Sequence, residues 1–132
     1  MANAMAILVF ETEKPIPMTC ADGTGIEKGQ CLKLSDPFTV AATAAANDLF
    51  GGIAAEEKIA SDGKVKIGVY RRGIFKLEAG SSGVNVGLPI IIEANNEFKD
   101  TAANGSDTGY VWGKALETAA DGETFLAEVG SG

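Results

Sequence analysis

The sequence predicts an all-β protein: a small β-barrel built from two pseudo-repeats of about 60 residues, with little helix. Three observations lead to this prediction. Apolar and polar residues alternate with the period of two that strands require, and hardly any segment shows the 3.6-residue period of an amphipathic helix. Seventeen glycines supply turn signals between the alternating segments. The two halves of the chain also resemble each other at a nearly constant spacing.

The internal repeat is clearest in a Gly-apolar-x-x-Gly turn that leads into an apolar strand. This turn begins at Gly25 in the first half and at Gly83 in the second, 58 residues later. The glycine-containing segments 52–56 and 113–117 match at a spacing of 61 residues. Two further matches are Phe38 with Phe98 and Asp62-Gly63 with Asp121-Gly122. Repetition with short turns is typical of a scaffold.

About nine or ten short strands are predicted, each next to a turn signal. They cover residues 6–10, 30–34, 38–40, 49–55, 64–70, 74–77, 88–93, 97–99, 110–116 and 124–129. Pro15-Ile16-Pro17 predicts an extended connector, because proline excludes helix there. Arg71-Arg72-Gly73 predicts a tight hairpin between its neighbouring strands. The alanine-rich run 41–48 predicts a strand end and loop, with one helical turn left open.

The organisation predicted from these strands is one domain preceded by an arm. Residues 1–17 form an N-terminal strand or arm, and residues 18–132 form a single barrel domain. Its pseudo-repeats, 25–69 and 83–129, are expected to share one hydrophobic core. Ala79-Gly80-Ser81-Ser82 is too short to act as a linker between domains.

Charge is distributed unevenly along the chain. Residues 1–77 hold nine acidic and nine basic side chains, whereas residues 78–132 hold nine acidic ones against Lys99 and Lys114. We expect no binding to nucleic acid or anionic membranes, because both depend on Lys and Arg. The acidity either only keeps the protein soluble or forms an acidic face toward a basic or neutral partner. No apolar run approaches the roughly 18 residues of a membrane span, and no signal peptide is apparent, so we expect the protein to act where it is made.

Residues for catalysis, metal or cofactor binding are scarce. The chain has no histidine, which removes the commonest general base and metal ligand. Cys20 and Cys31 are too few for a zinc site, and they are expected to be unpaired thiols, with a disulfide as the alternative. Gly23-Thr24-Gly25 lacks the third glycine and the helix of a dinucleotide motif. We therefore predict no enzyme, no cofactor and no metal.

Three features are candidates for an interface. The apolar strand Ala6, Ile7, Leu8, Val9 and Phe10 either completes its own barrel or adds to a neighbour's sheet. Arg71 and Arg72 are the only arginines, and they form either a solvated turn or a partner contact. Trp112 belongs either to the core or to an intersubunit contact.

The order of these parts resembles the small capsid decoration, or cement, proteins of tailed bacteriophages. The resemblance lies in Gly-apolar-x-x-Gly-Gln-Cys-Leu at 25–32, Phe50-Gly51-Gly52-Ile53-Ala54, Asp62-Gly63 and the alternating strands of 65–77. It covers most of residues 18–129. Similar patterns occur in a widespread family of small phage proteins and in the lambda-type head decoration proteins.

The resemblance implies a β-tulip barrel that forms a homotrimer on the capsid exterior. It also implies the major capsid protein as partner, synthesis in the host cytoplasm, and stabilisation of the head against internal DNA pressure. Residues 1–17 correspond to the arm that joins capsid β-structure, with 6–10 as the added strand. This start is compact and hydrophobic, whereas the lambda-type arm is long and polar. Two alternatives are another β-rich virion component (tail tube, head completion or fibre) and a lipoyl- or biotinyl-type carrier, for which Lys64 in Asp62-Gly63-Lys64 is the nearest candidate.

Overall fold

The computed structural model describes residues 5–46, 48–101 and 111–130, and these residues form eleven strands. The strands are β1 (Ile7–Phe10), β2 (Ile16–Thr19), β3 (Cys31–Asp36), β4 (Thr39–Ala42), β5 (Phe50–Ala54), β6 (Lys66–Tyr70), β7 (Gly73–Ala79), β8 (Pro89–Ala94), β9 (Glu97–Asp100), β10 (Gly113–Ala115) and β11 (Thr124–Val129). The described residues contain no helix, and hence none that is long and apolar enough to cross a membrane.

The strands close into two five-stranded barrels. Barrel 1 has the strand order β2-β4-β3-β5-β6, and barrel 2 has the order β7-β11-β10-β8-β9, closed by pairing of β9 with β7. Strand β1 lies outside both rings and pairs with β7. The predicted all-β barrel fold with two repeat-like halves is confirmed. The predicted connector at 15–17 contributes to barrel 1, because β2 begins at Ile16.

The two barrels have the same topology. In each, the first and third strands pair in parallel, β2 with β4 and β7 with β9, and the other pairs are antiparallel. Each also has one isolated bridge, Ile26 with Lys58 in barrel 1 and Val84 with Ala119 in barrel 2. The bridges repeat at the spacings of 58 and 61 residues seen in the sequence.

The expectation of one shared core is wrong, because the buried side chains form two clusters. The barrel 1 cluster is aliphatic and sulfur-containing: Met18, Cys20, Ile26, Leu32, Val40, Ala54, Ile67 and Val69. The second cluster fills barrel 2 around Phe75, Phe98, Trp112 and Phe125. Five strands already close on themselves, so the inward side chains of each barrel meet each other.

A buried polar network joins the two barrels. Asn96, in the turn between β8 and β9, accepts hydrogen bonds through Oδ1 from the backbone N–H of Cys31 at 2.8 Å and from Gln30 Nε2 at 3.1 Å. The hydroxyl of Thr43 accepts a hydrogen bond from the Asn96 N–H at 3.2 Å. Cys31 and Ile53 of barrel 1 also belong to the barrel 2 cluster. Apolar packing and satisfied polar groups therefore fix one barrel against the other.

The predicted hairpin at Arg71-Arg72 is wrong. Strand β6 pairs with β2 and β5 in barrel 1, whereas β7 pairs with β11, β9 and β1. The two arginines therefore connect one barrel to the next. The alternation on both sides of Arg71-Arg72 correctly predicted two strands. These two strands pair with other strands and not with each other.

Two of the predicted repeat matches are displaced by two residues. Phe38 is 58% exposed and has a φ of 51°, and its counterpart is the turn residue Asn96, with a φ of 59°. Phe98 instead corresponds to Val40, because Val40 pairs with Leu34 as Phe98 pairs with Ile92. The second displaced match lies in the turn that follows. The N–H of Asp62 bonds to the carbonyl of Ile59, and the N–H of Glu123 bonds to the carbonyl of Ala120. Asp62 therefore corresponds to Glu123, and not to Asp121 as the sequence match had it.

The strand glycines Gly52 and Gly113 allow close approach of neighbouring strands. A β carbon on Gly52, whose φ is 138°, would collide with the side chain of Val69 and with the carbonyl of Tyr70. A β carbon on Gly113 would collide with the carbonyl of Glu128. Both glycines thus let the fourth and fifth strands of a barrel pack tightly.

Candidate functional site

Strand β1 is an exposed apolar strand, and it is the candidate interaction site. Its four side chains keep much of their surface in solvent: Ile7 59%, Leu8 36%, Val9 40% and Phe10 62%. Scattered apolar side chains are normal on a surface, but four consecutive ones on an edge strand are the pattern of a contact site.

Strand β1 has one satisfied edge and one open edge. It pairs antiparallel with β7, Ile7 opposite Lys76 and Leu8 opposite Phe75. It is the terminal strand of its sheet, and within the described residues no strand pairs with its outer edge. The strand therefore pairs within its own chain but does not complete a barrel, and its addition to a neighbour's sheet stays a prediction. The outer edge still offers backbone groups to a further strand.

Ala6 fixes the start of β1 between the two barrels. Its side chain is buried in the barrel 2 cluster, and its N–H donates to the carbonyl of Gly29 in barrel 1 at 2.9 Å. Gly29 has a φ of 90°, and a β carbon there would lie 2.5 Å from the carbonyl oxygen of Ala6. Only glycine fits this approach without strain, so β1 is held by both barrels.

A pocket of about 480 Å³ lies beside the beginning of β1. It is lined by Met5, Ala6, Ile7, Leu8, Lys28 and Tyr70. Burial, and next the charge of Glu11, raise the pKa of the Tyr70 hydroxyl, which therefore stays neutral at physiological pH. The exposed strand and this largely apolar pocket form one continuous surface, called here the β1 surface.

Arg71 is engaged within its own chain. Its guanidinium donates to the carbonyl of Gly51 at 2.7 Å and lies 4.6 Å from the centre of the Phe50 ring. Burial lowers the pKa of Arg71, although its charge is kept under all ordinary conditions. Arg71 therefore joins the barrel connector to β5.

Arg72 is exposed and lines a small pocket together with Thr12, Glu13 and Glu128. Its part in an interface stays a prediction. Trp112 has 0% exposure, packs edge-on against Phe98, and donates from Nε1 to the carbonyl of Asp48 at 3.1 Å. Trp112 therefore belongs to the hydrophobic core of barrel 2, which is one of the two alternatives that the sequence left open.

Both cysteines are free and buried. Burial raises the pKa of the Cys20 and Cys31 thiols, which disfavours the reactive thiolate. Within the described ranges, no three Cys, Asp or Glu side chains are grouped as a metal site would require.

Sequence reasoning missed one buried charged group, Lys58. Its side chain is 1% exposed, and its ammonium lies 3.1 Å from Asp62 Oδ1 and 3.5 Å from Asp22 Oδ1. A lysine between Glu57 and Ile59 has no local feature that predicts burial. The repeat offered a signal, because Lys58 occupies the position of Ala119.

The described residues thus form a small all-β protein in which two joined barrels carry an exposed apolar strand. A model of the phage cement protein family matches residues 10–130, and the chain belongs to this family. It is a structural, capsid-associated protein of the phage particle.

The base of a phage head fibre has a similar fold. The N-terminal base of head fibre gp8.5 of bacteriophage phi29 superposes with a TM-score of 0.56 and 16% identity, over 95% of this chain and 94% of that one. At this identity the likeness concerns the fold. A search of the curated proteins found no match.

Proposed function

We propose that the protein binds the outer surface of a phage head through its β1 surface and stabilises the capsid lattice. The major capsid protein is the proposed partner. The observation that carries this proposal is the exposed apolar strand, which is held by both barrels and whose outer edge pairs with no other strand of the described ranges. Because the chain belongs to the phage cement protein family, we propose a phage capsid as the surface that it binds.

The energetics of β1 suit a modest contact that is repeated many times. Burying the solvent-exposed parts of its four apolar side chains would contribute on the order of 4 kcal/mol, before the cost of association. Added backbone hydrogen bonds would align the partner strand. On a lattice with many equivalent sites, modest single contacts suffice for stable attachment when copies are linked to one another.

We further propose that the copies form a homotrimer on the head exterior, made in the host cytoplasm, and that they act without catalysis. The resemblance to decoration proteins supports the trimer. The acidic second half then faces solvent and repels polyanions. Sedimentation velocity of the purified protein measures the oligomer directly, and a monomer at the concentration that saturates heads contradicts the trimer.

The direct test is cosedimentation with heads assembled without this protein. Wild type is expected to pellet with the heads and to raise the temperature at which they release DNA. The double variant Ile7→Ser/Phe10→Ser is expected to stay in the supernatant, because it removes exposed apolar area without disturbing a core. Leu49→Ser/Ile59→Ser, on exposed positions of barrel 1, is the matched control and should pellet like wild type. Equal pelleting of both double variants would contradict the role of β1.

The fold of the phi29 head fibre base supports a second candidate, the attachment base of a fibre. Both candidates bind the head, but they differ in their effect on the shell. A decoration protein raises the temperature of DNA release, whereas a fibre base binds without changing it. The same heads therefore distinguish the two candidates.

A further inference from the structure

The turn between β8 and β9 makes the polar contact between the barrels, and the equivalent turn of barrel 1 lies on the surface. Asn96 is 1% exposed, because it accepts hydrogen bonds from Gln30 and from the N–H of Cys31 in barrel 1. Its counterpart in the turn between β3 and β4 is Phe38, which is 58% exposed. The same turn is therefore an interface residue in one barrel and an exposed aromatic in the other.

Phe38 is an unusual residue for this turn. Its φ of 51° lies in the left-handed region, which asparagine adopts readily but which is strained for an aromatic side chain. More than half of its surface also remains in water, which disfavours a large apolar ring. Neither backbone conformation nor burial within the chain favours phenylalanine here. An exposed aromatic in a strained turn is typical of a binding residue.

The Asn96 turn is received by a polar site on barrel 1, called here socket 1, which consists of Gln30, Cys31 and Thr43. Gln30 Nε2 and the N–H of Cys31 donate to Asn96 Oδ1, and the Thr43 hydroxyl accepts from the Asn96 N–H. All three residues of the socket are buried. Socket 1 thus provides both donors and an acceptor for a polar turn residue.

Barrel 2 has the equivalent site, called here socket 2, at Leu88, Pro89 and Thr101. The backbone hydrogen bonds define the equivalence. The N–H of Thr43 donates to the carbonyl of Cys31 at 3.0 Å, as the N–H of Thr101 donates to the carbonyl of Pro89 at 2.9 Å. The carbonyls of Gln30 and Leu88 likewise accept from the N–H of the last residue of β5 and of β10.

Socket 2 is more open than socket 1. Its three residues are half-buried, whereas those of socket 1 are buried. A β carbon on Gly29, beside socket 1, would lie 2.5 Å from the carbonyl oxygen of Ala6. On Gly87, beside socket 2, it would have no atom within 4 Å apart from its chain neighbours. The adjoining Val86 is 59% exposed.

The two sockets differ in polarity in the same way as the two turns. Socket 2 has Leu88 where socket 1 has the amide of Gln30, and it has Pro89, which has no N–H to donate, where socket 1 has Cys31. Socket 1 is polar and receives asparagine. Socket 2 is apolar, and the equivalent turn residue of barrel 1 is phenylalanine. Socket 2 is therefore complementary to the Phe38 turn.

We propose that socket 2 of one molecule receives the Phe38 turn of a second copy of this chain, as socket 1 receives the Asn96 turn within the chain. Phe38 is exposed in its own chain, so the occupant comes from another molecule. The contact joins two different surfaces, and such a contact closes into a ring when the rotation between copies permits. The proposal rests on the self-association proposed above and supplies its surface, but it does not depend on β1 meeting the head.

Sedimentation equilibrium of Phe38→Asn tests this contact. Asparagine suits the positive φ and is the residue at the equivalent position of barrel 2, so the variant is expected to fold. The dissociation constant for self-association should rise at least about tenfold. Phe10→Asn removes an equally exposed phenylalanine from β1 and should leave this constant unchanged. Unchanged self-association in Phe38→Asn, or a wild type that stays monomeric at millimolar concentration, overturns the proposal.

Crosslinking identifies the two surfaces. Gln30 contacts Asn96 within the chain, so the counterpart pair across copies is Leu88 and Phe38. A mixture of the single variants Leu88→Cys and Phe38→Cys, treated with a short bismaleimide, is expected to give covalent dimers. Each variant alone should give almost none, as should wild type, whose two cysteines are buried. A mixture without dimers, or dimers of Phe38→Cys alone in equal yield, contradicts the proposed pairing.

The same variants keep this contact and the capsid contact apart. A failure of the proposed function appears as wild-type pelleting of Ile7→Ser/Phe10→Ser with heads, whereas a failure of the contact between copies appears as wild-type self-association of Phe38→Asn. If Phe38→Asn self-associates like wild type but no longer pellets with heads, a capsid subunit receives the turn. That result contradicts a second copy as the occupant of socket 2.

Discussion

Barrel 1 and barrel 2 share every strand pairing but differ in what they enclose. Barrel 1 has an aliphatic core and a buried lysine between two aspartates, whereas barrel 2 is filled by three phenylalanines and a tryptophan. The same topology thus supports two interiors, because backbone ladders and turn geometry define the strand order while the core need only fill the volume. The barrels also differ at the equivalent bridge position, which is Lys58 in barrel 1 and Ala119 in barrel 2.

The aromatic core of barrel 2 is expected to give the largest effect on stability. Trp112→Ala removes a fully buried side chain and its hydrogen bond to Asp48, and the expected loss in free energy of unfolding is about 3–5 kcal/mol. Phe10→Ala, on the exposed strand, is the control and should change stability by less than about 0.5 kcal/mol. Urea denaturation followed by circular dichroism measures both. A smaller loss for Trp112→Ala than for Phe10→Ala would contradict the assigned core.

Substitutions of Asn96, at the contact between the barrels, are expected to give the next largest loss of stability. Asn96→Gly keeps the left-handed backbone but leaves the buried N–H of Cys31 without its acceptor, at a cost of about 1–3 kcal/mol. Asn96→Ala adds the strain of a positive φ and should cost about 1 kcal/mol more. Two separate unfolding transitions in either variant would show that the barrels fold independently once this link is lost. Equal stability of Asn96→Gly and wild type would show that the network contributes nothing.

Lys58→Met tests the ion pair that Lys58 forms with Asp22 and Asp62 in barrel 1. The variant leaves Asp22 and Asp62 without their partner, so we expect a lower melting temperature than for Lys64→Met, which removes an exposed lysine nearby.

The pH dependence of that difference follows from two opposite shifts. The pKa of Asp62 lies below its ordinary 3.8, chiefly through the hydrogen bond from the Lys64 backbone, and that of Lys58 lies above 10.5. The stabilisation is therefore fully present between these two ordinary values. It is lost as the pH falls through the lowered pKa of Asp62 or rises through the raised pKa of Lys58. A difference that is constant from pH 2 to pH 12 would contradict the ion pair.

The carboxylates around Glu97 in barrel 2 should give the smallest effect on stability. Removing the charge of Glu97 should raise stability, whereas the preceding substitutions lower it. Burial and neighbouring carboxylates raise the pKa of Glu97 above 4.5, so folded barrel 2 binds its proton more tightly than the unfolded chain. Wild type therefore loses stability as the pH rises through the window above 4.5. Glu97→Gln should be more stable than wild type at pH 7, by less than about 1 kcal/mol, and equal to it below pH 4.5. Glu27→Gln, an exposed position in barrel 1, is the control, and an equal gain there would contradict the effect of these carboxylates.

The sequence predicted the strands better than it predicted their partners. Period-two alternation located nearly all of the strands in the part of the chain that the structure describes. The partner of β7 could not be found this way, because alternation around Arg71-Arg72 is the same for a hairpin and for a crossover between barrels. The buried positions of Lys58 and Asn96 depend on acceptors and donors far away in the chain, which local patterns do not show. At the candidate site, the sequence identified the apolar run 6–10. Its pairing with β7 is visible only in the structure.

The most direct test of the central claim is an electron cryo-microscopy reconstruction of phage heads decorated with this protein. We predict two barrels on the outer surface, with residues 7–10 in contact with the major capsid protein and the outer edge of β1 paired or covered. Density that places β1 in solvent, with another face of the barrels against the shell, would contradict the proposed attachment.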